Sequence, residues 1–138
     1  MIVLLLGTNN LGHKGDTPAD CERGMKALLA KIRAKQPAAK ILLVGILPRR
    51  ANVAKVVAET NALYAKLADG NVVFTQAGDA LGEPGASGIV SKKEFFMKDG
   101  LHPNAAGYAK LAEWLAPRIA VLTGDGKPSS TPGTSAAK

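Results

Sequence analysis

Asp99 and His102 stand three residues apart in the segment FFMKDGLHPNAAGYAKLAEWL, residues 95–115. An acid and an imidazole at that spacing suit nucleophilic ester cleavage. The imidazole takes a hydroxyl proton, and the carboxylate holds the ring in the tautomer that leaves its other nitrogen basic. Near the start of the chain, GTNN (7–10) adds Asn9, an amide donor suited to a developing oxyanion. Each signal is weak alone. Asp-x-x-His also describes an aspartate near a helix start beside a locally bonded histidine, and asparagine after glycine is ordinary turn chemistry. His13, flanked by Lys14, reads as a solvent-exposed side chain, and the single Cys21 as a plain buried or half-buried thiol.

The elements that would position these groups alternate along the chain. IVLLL (2–6) is an unbroken apolar run closed by Gly7, the pattern of a strand buried on both faces. KILLVGIL (40–47), closed by Pro48, and NVVFT (71–75) make a second and a third strand. Between them, Met25, Leu28, Leu29 and Ile32 recur at helical spacing within 20–35, and Val53, Val56, Val57, Leu63 and Leu67 do so within 52–68. A glycine-rich stretch, 77–88, carries neither period and is expected to be a loop. A last helix begins at the cap residue Asn104 and aligns Leu111, Leu115, Ile119 and Leu122. Residues 1–122 therefore form one domain, and 123–138, with no apolar residue larger than Ala beyond 123, are expected to be a flexible tail.

The order β-α-β-α-β-loop-α argues for parallel strands joined by right-handed crossovers, an αβα arrangement in three layers. In such sheets ligands gather at the carboxyl ends of the strands. GTNN lies just past the first strand, and the loop of Asp99 and His102 precedes the last helix, within reach of the same edge.

Composition narrows the alternatives. The chain has 138 residues and 46% hydrophobic content, yet only 4% aromatic, so its core is built mainly from Ala, Val, Leu and Ile. Eighteen Lys and Arg against eleven Asp and Glu leave a formal charge of +7. The basic residues are scattered without interleaved aromatics, which disfavours nucleic acid and suits a solvated basic surface. One cysteine forms no intrachain disulfide and builds no Cys-based zinc site. The opening MIVLLL is too short and too poor in positive charge for a signal peptide, and no segment reaches transmembrane length. A cytoplasmic location is the default expectation.

Taken together, the two clusters are far more specific than either. VLLLGTNN followed by DGLHPNAAGYAKLAEWL resembles the SGNH, or GDSL-type, hydrolases, with their strand ending in Gly-x-Asn and their Asp-x-x-His before the C-terminal helix. GTNN, ILPR (46–49) and GYAKL (107–111) look most like the catalytic subunits of the platelet-activating-factor acetylhydrolase branch. The resemblance runs from residue 2 to about 120. It implies a flavodoxin-like αβα fold and hydrolysis of short acyl esters, such as acetyl esters, with no metal or organic cofactor expected. It makes His102 the general base, Asp99 its orienter and Asn9 an oxyanion donor, with Gly7, Asn10, Arg49 and Leu101 as substrate contacts.

The family's nucleophile is the Ser of a Gly-Asp-Ser block upstream of Gly-x-Asn, and a further block there supplies a Gly amide. Neither is present before Gly7. The chain reads as an N-terminally truncated form of the fold, with Ser91 the nearest substitute for the serine. Its first strand then becomes a sheet edge, a template for pairing with a second copy. A homo-oligomer through that strand is expected. The alternatives are an inactive remnant serving as a binding or assembly module, and a fragment of a longer enzyme.

Overall fold

The three apolar runs pair as parallel strands. The computed structural model describes residues 1–11 and 15–125. In chain order these form β1 (Ile2–Leu5), α1 (Pro18–Lys35), β2 (Ile41–Val44), α2 (Ala51–Ala65), β3 (Val72–Thr75), α3 (Gly78–Leu81), β4 (Gly82–Gly85), β5 (Gly88–Ser91) and α4 (Ala105–Thr123). The sheet order is β1-β2-β3, and β4-β5 is a separate antiparallel hairpin. The chain is therefore α/β with a parallel sheet, as its alternating pattern predicts.

Register decides which side chains meet which helices. The rows Ile2–Ile41–Val72 and Leu4–Leu43–Phe74 face one side. They pack with Met25 and Leu29 of α1 and with Val57 and Tyr64 of α2. The alternate rows, Val3–Leu42–Val73 and Leu5–Val44–Thr75, face the side of α4. There Pro117, Arg118, Val121 and Leu122 overhang Leu42, Val73 and Thr75, and Arg118 Nε donates to Thr75 Oγ1 at 3.2 Å. Helices thus lie on both faces of the sheet, α4 covering its face only in part, and side chains cap the starts of α1 and α4. Thr17 and Asp20 form a reciprocal capping box at α1 with Pro18 in its first turn, and the Asn104 side chain accepts from Gly107 N to cap α4.

Three expectations need correction. β1 is not buried on both faces: Val3 is 41% exposed and Leu5 39%, because the strand is a sheet edge and α4 meets that face over β2 and β3. The stretch 77–88 is not a plain loop. It holds α3, β4 and the start of β5; these short strands, β4 largely exposed and β5 half-buried, carry no alternating apolar pattern. In α2 the buried face is centred on Ala54, Val57, Asn61 and Tyr64, with Val53, Val56 and Leu63 on its flanks. Polar residues enter that face because their bonds are made inside. Thr60 Oγ1 donates to Val56 O at 2.8 Å, and Asn61 both accepts from Ile46 N and donates to Ile46 O.

Of the expected tail, residues 126–138 lie outside the described residues, and so does His13; Cys21 is buried in the core under α1. Among the described residues no helix is long and apolar enough to cross a membrane.

β2 carries the core, with Ile41 to Val44 at 0–1% exposure. Leu43→Ala should therefore lose about 2–5 kcal/mol of stability. Val3→Ala, on the half-open edge, should lose no more than about 1 kcal/mol. Urea unfolding of the two variants checks the contrast; equal losses would mean that β1 is covered in solution.

Candidate active site

The segment 95–104 is folded back on itself before α4 begins. Met97 N donates to His102 O at 2.8 Å, Gly100 N to Met97 O at 2.8 Å, and Asn104 N to Phe95 O at 3.0 Å. Asn104 also sends its Nδ2 to Glu94 O at 2.9 Å while its Oδ1 caps α4. One asparagine therefore anchors both the helix and the loop in front of it. Gly100 makes the tight turn with φ of 60°, in the left-handed region that favours glycine.

Within this loop Asp99 uses both carboxylate oxygens. Oδ1 accepts from Leu101 N at 2.8 Å and from His102 N at 3.0 Å. Oδ2 lies 2.7 Å from His102 Nδ1. The ring bond to His102, followed by the two backbone bonds, holds the Asp99 carboxyl well below the usual carboxylate range. An ionised carboxylate only accepts, so Nδ1 carries the proton and Nε2 of the neutral ring keeps its lone pair. His102 is 67% exposed and Asp99 45%, so water reaches the pair.

The other half of the site is the turn after β1. Gly7 adopts φ of 115°, and a side chain there would collide at 2.9 Å with Ile46 Cδ1 and the Tyr64 hydroxyl. Leu11 N donates back to Gly7 O at 3.3 Å, closing the turn. Asn10 Nδ2 donates to Asp16 Oδ2 at 2.7 Å, and Asp16 N returns a bond to Asn10 O at 3.2 Å. Asn9 between them is exposed.

These halves meet across a cavity of about 200 Å³. Leu5, Leu6, Thr8, Ile46, Leu101 and His102 are among the residues that line it. The wall is mostly aliphatic, with His102, Thr8 and Tyr108 as its polar residues. Of the residues expected at the site, His102 and Leu101 line the cavity, Asp99 backs His102, and Asn9 follows the lining residue Thr8. Gly7 shapes the turn. Asn10 and Arg49, read as substrate contacts, are instead engaged within the chain: Asn10 with Asp16, and Arg49 with Thr8 O at 2.8 Å.

Ser91 is likewise committed, its Oγ donating to Gly100 O at 3.3 Å and its N to Arg49 O at 3.1 Å. Sequence reasoning missed this stapling role, together with Thr8 and Asn61. A polar residue inside the apolar face of α2 was the available signal for Asn61.

Fold and site together define an α/β domain with an aspartate–histidine pair at the carboxyl edge of a parallel sheet. The chain belongs to the GDSL-like Lipase/Acylhydrolase family, whose model matches residues 1–110. It is 32% identical over 120 residues to Platelet-activating factor acetylhydrolase IB subunit alpha2 of Homo sapiens, a match covering 82% of this chain and 48% of that protein. The chain thus spans about half the length of the curated relatives it matches. A solved peptidoglycan O-acetylesterase aligns with a TM-score of 0.66 at 26% identity, covering 91% of this chain and 38% of the other. An acetyl esterase mutant with an acetate ion shares the fold, with a TM-score of 0.72 at 20% identity over 91% of this chain and 60% of the other.

The lowered Asp99 carboxyl has a pH consequence. Its ionised form is favoured by native contacts, so that stabilisation is complete above the ordinary aspartate value of about 3.9 and is lost only as pH falls through the lower native value. Asp99 should remain ionised at about pH 3, where a free aspartate is mostly protonated. A carbon-detected NMR titration reads this directly, and His102→Ala should move the midpoint upward. Titration of Asp99 at the ordinary value in the unaltered chain would show that the ring bond does not persist in solution.

Proposed function

We propose that this chain carries the base, the orienter and the oxyanion donor of an ester-hydrolase site acting on short acyl esters, acetyl esters foremost. The observation that carries the reading is the 2.7 Å contact between Asp99 and His102, with His102 on the wall of an aliphatic cavity shared with Thr8. In this reading His102 Nε2 takes the proton of the attacking hydroxyl or water. Asp99 stabilises the resulting imidazolium, and the Asn9 amide donates to the oxygen that becomes negative. The names of the relative and of both solved neighbours refer to acetyl groups, which supports a small acyl substrate.

Neither serine in the described part of the chain is in a nucleophile's position by its bonding: Ser91 is tied to Gly100, and Ser87 sits at the turn between β4 and β5. Hydrolysis by this chain alone should therefore be slow, with the histidine acting on water. Purified protein should cleave p-nitrophenyl acetate weakly. His102→Ala should lower that rate at least about tenfold, and Ser91→Ala should lower it only a few-fold. Fast turnover abolished by Ser91→Ala would replace this reading with one in which Ser91 is the nucleophile.

The second reading, assembly, is favoured by the edge position of β1 together with the exposure of Val3, Leu5 and Leu6 at 41%, 39% and 49%. An apolar strand edge invites pairing with a second copy, and a two-fold dimer would cover the edge or the open face. Light scattering at micromolar concentration should report a dimer or larger, and Leu5→Lys should shift it toward monomer or insolubility. A soluble monomer at that concentration removes the assembly reading.

A further inference from the structure

The turn that carries Asn9 is gripped by a cation from another loop. Arg49 Nη1 donates to Thr8 O at 2.8 Å and to Thr8 Oγ1 at 3.1 Å. The Thr8 carbonyl and the Asn9 N–H belong to one planar peptide unit. Holding the oxygen at one end therefore sets the plane at the other, and with it the direction in which Asn9 leaves the backbone. A charged donor on that carbonyl also polarises the unit, making the Asn9 N–H a stronger donor.

Arg49 is itself held from several directions. Its carbonyl accepts from Ser91 N at 3.1 Å, and it forms a parallel bridge with Val90. Ser91 Oγ continues to Gly100 O in the Asp99–His102 loop. Upstream, Asn61 pins both polar backbone atoms of Ile46, three residues earlier on the same segment. The Arg49 guanidinium thus reaches the Asn9 turn from a backbone that is also tied, through Ser91, to the histidine loop.

Its charge is unusually placed. Among the described residues Arg49 makes no ion pair, and its named bonds go to a neutral carbonyl and a neutral hydroxyl. It is half-buried, and burial, followed by repulsion from Arg50, pulls its pKa down, while Asp99 opposes them. Its direct bonds to neutral acceptors leave the guanidinium charge without a contacting carboxylate, with Asp99 acting on it from a distance.

We propose that Arg49 is a positioning residue that orients and polarises the Thr8–Asn9 peptide, so that Asn9 faces the oxygen that becomes negative in ester cleavage. The catalytic part of this rests on the reading of Asn9 as oxyanion donor, whereas the positioning part is measured without any substrate.

The test compares Arg49→Ala, Arg49→Lys and the unaltered chain by amide NMR. In Arg49→Ala the order parameters of Thr8 to Asn10 should fall from about 0.85 to below about 0.6. The Leu11 amide, which closes the turn onto Gly7, should exchange about tenfold faster, while amides of β2 and α1 stay unchanged. Added guanidinium ion should restore the turn in Arg49→Ala, and Arg49→Lys, which keeps the charge without the fork, should lie between. For p-nitrophenyl acetate, kcat should fall about tenfold with KM unchanged.

A rigid turn in Arg49→Ala overturns the proposal. So does loosening spread evenly over the sheet, which marks a general loss of stability. A loosened turn with kcat unaltered, where His102→Ala does lower kcat, overturns the catalytic part and leaves the hydrolase reading standing. If His102→Ala has no effect either, the hydrolase reading fails, and that outcome is read separately from the turn's order. Where hydrolysis does not rise above the solvent rate, the NMR pattern and its rescue by guanidinium decide alone.

Discussion

Everything at the candidate site is referred back to β2, the central strand of a three-stranded parallel sheet. Its four residues are at most 1% exposed, with β1 and β3 hydrogen-bonded to either side. Because the strands run parallel and in simple register, their carboxyl ends come out together. The turn of Gly7 to Leu11 leaves β1 and the segment of Ile46 to Arg50 leaves β2 at one edge. A shift of register would separate Thr8 from Arg49, since both sit within a few residues of a strand end.

From that edge the site is assembled by side chains reaching backbone atoms. Asn61 takes Ile46, Arg49 takes Thr8, Ser91 takes Gly100, and Asn104 takes Glu94. Such bonds set the path of a loop more tightly than surface ion pairs do, because the acceptor is part of the chain whose path is being fixed. The surface ion pairs contribute little by comparison: those of Arg23 with Asp20 and Lys110 with Glu113 are exposed and local. The Asp99–His102 pair differs because the same carboxylate also binds two backbone amides. The imidazole is therefore held by a carboxylate that is itself held in place.

The site is open. His102 is two-thirds exposed, and the cavity beside it is bounded on one side by Leu5 and Leu6, both exposed. A water-filled site weakens every electrostatic contribution to catalysis, because solvent screens the developing charge that Asn9 would meet. The same apolar edge bounds the cavity and offers a surface for association. Covering it would both bury Leu5 and Leu6 and dry the wall beside the imidazole.

Local order determined much of this protein. Unbroken runs of Val, Leu and Ile specify strands, the Asn104 cap specifies a helix start, and Asp-x-x-His already places carboxylate and ring within one turn. Such features depend on residues close in the chain, so their spacing is legible. The small hairpin of β4 and β5 was not legible, because four-residue strands rich in glycine carry no periodic signal. Nor were the roles of Arg49, Ser91 and Asn61, whose partners lie far off in sequence and are chosen only when β2 brings the loops together. The apolar run of β1 reads alike at the centre and at the edge of a sheet, and its edge position was expected only from comparison with the family fold. Only the tertiary structure, by setting strand order and the path of α4, decided which of its faces meets water.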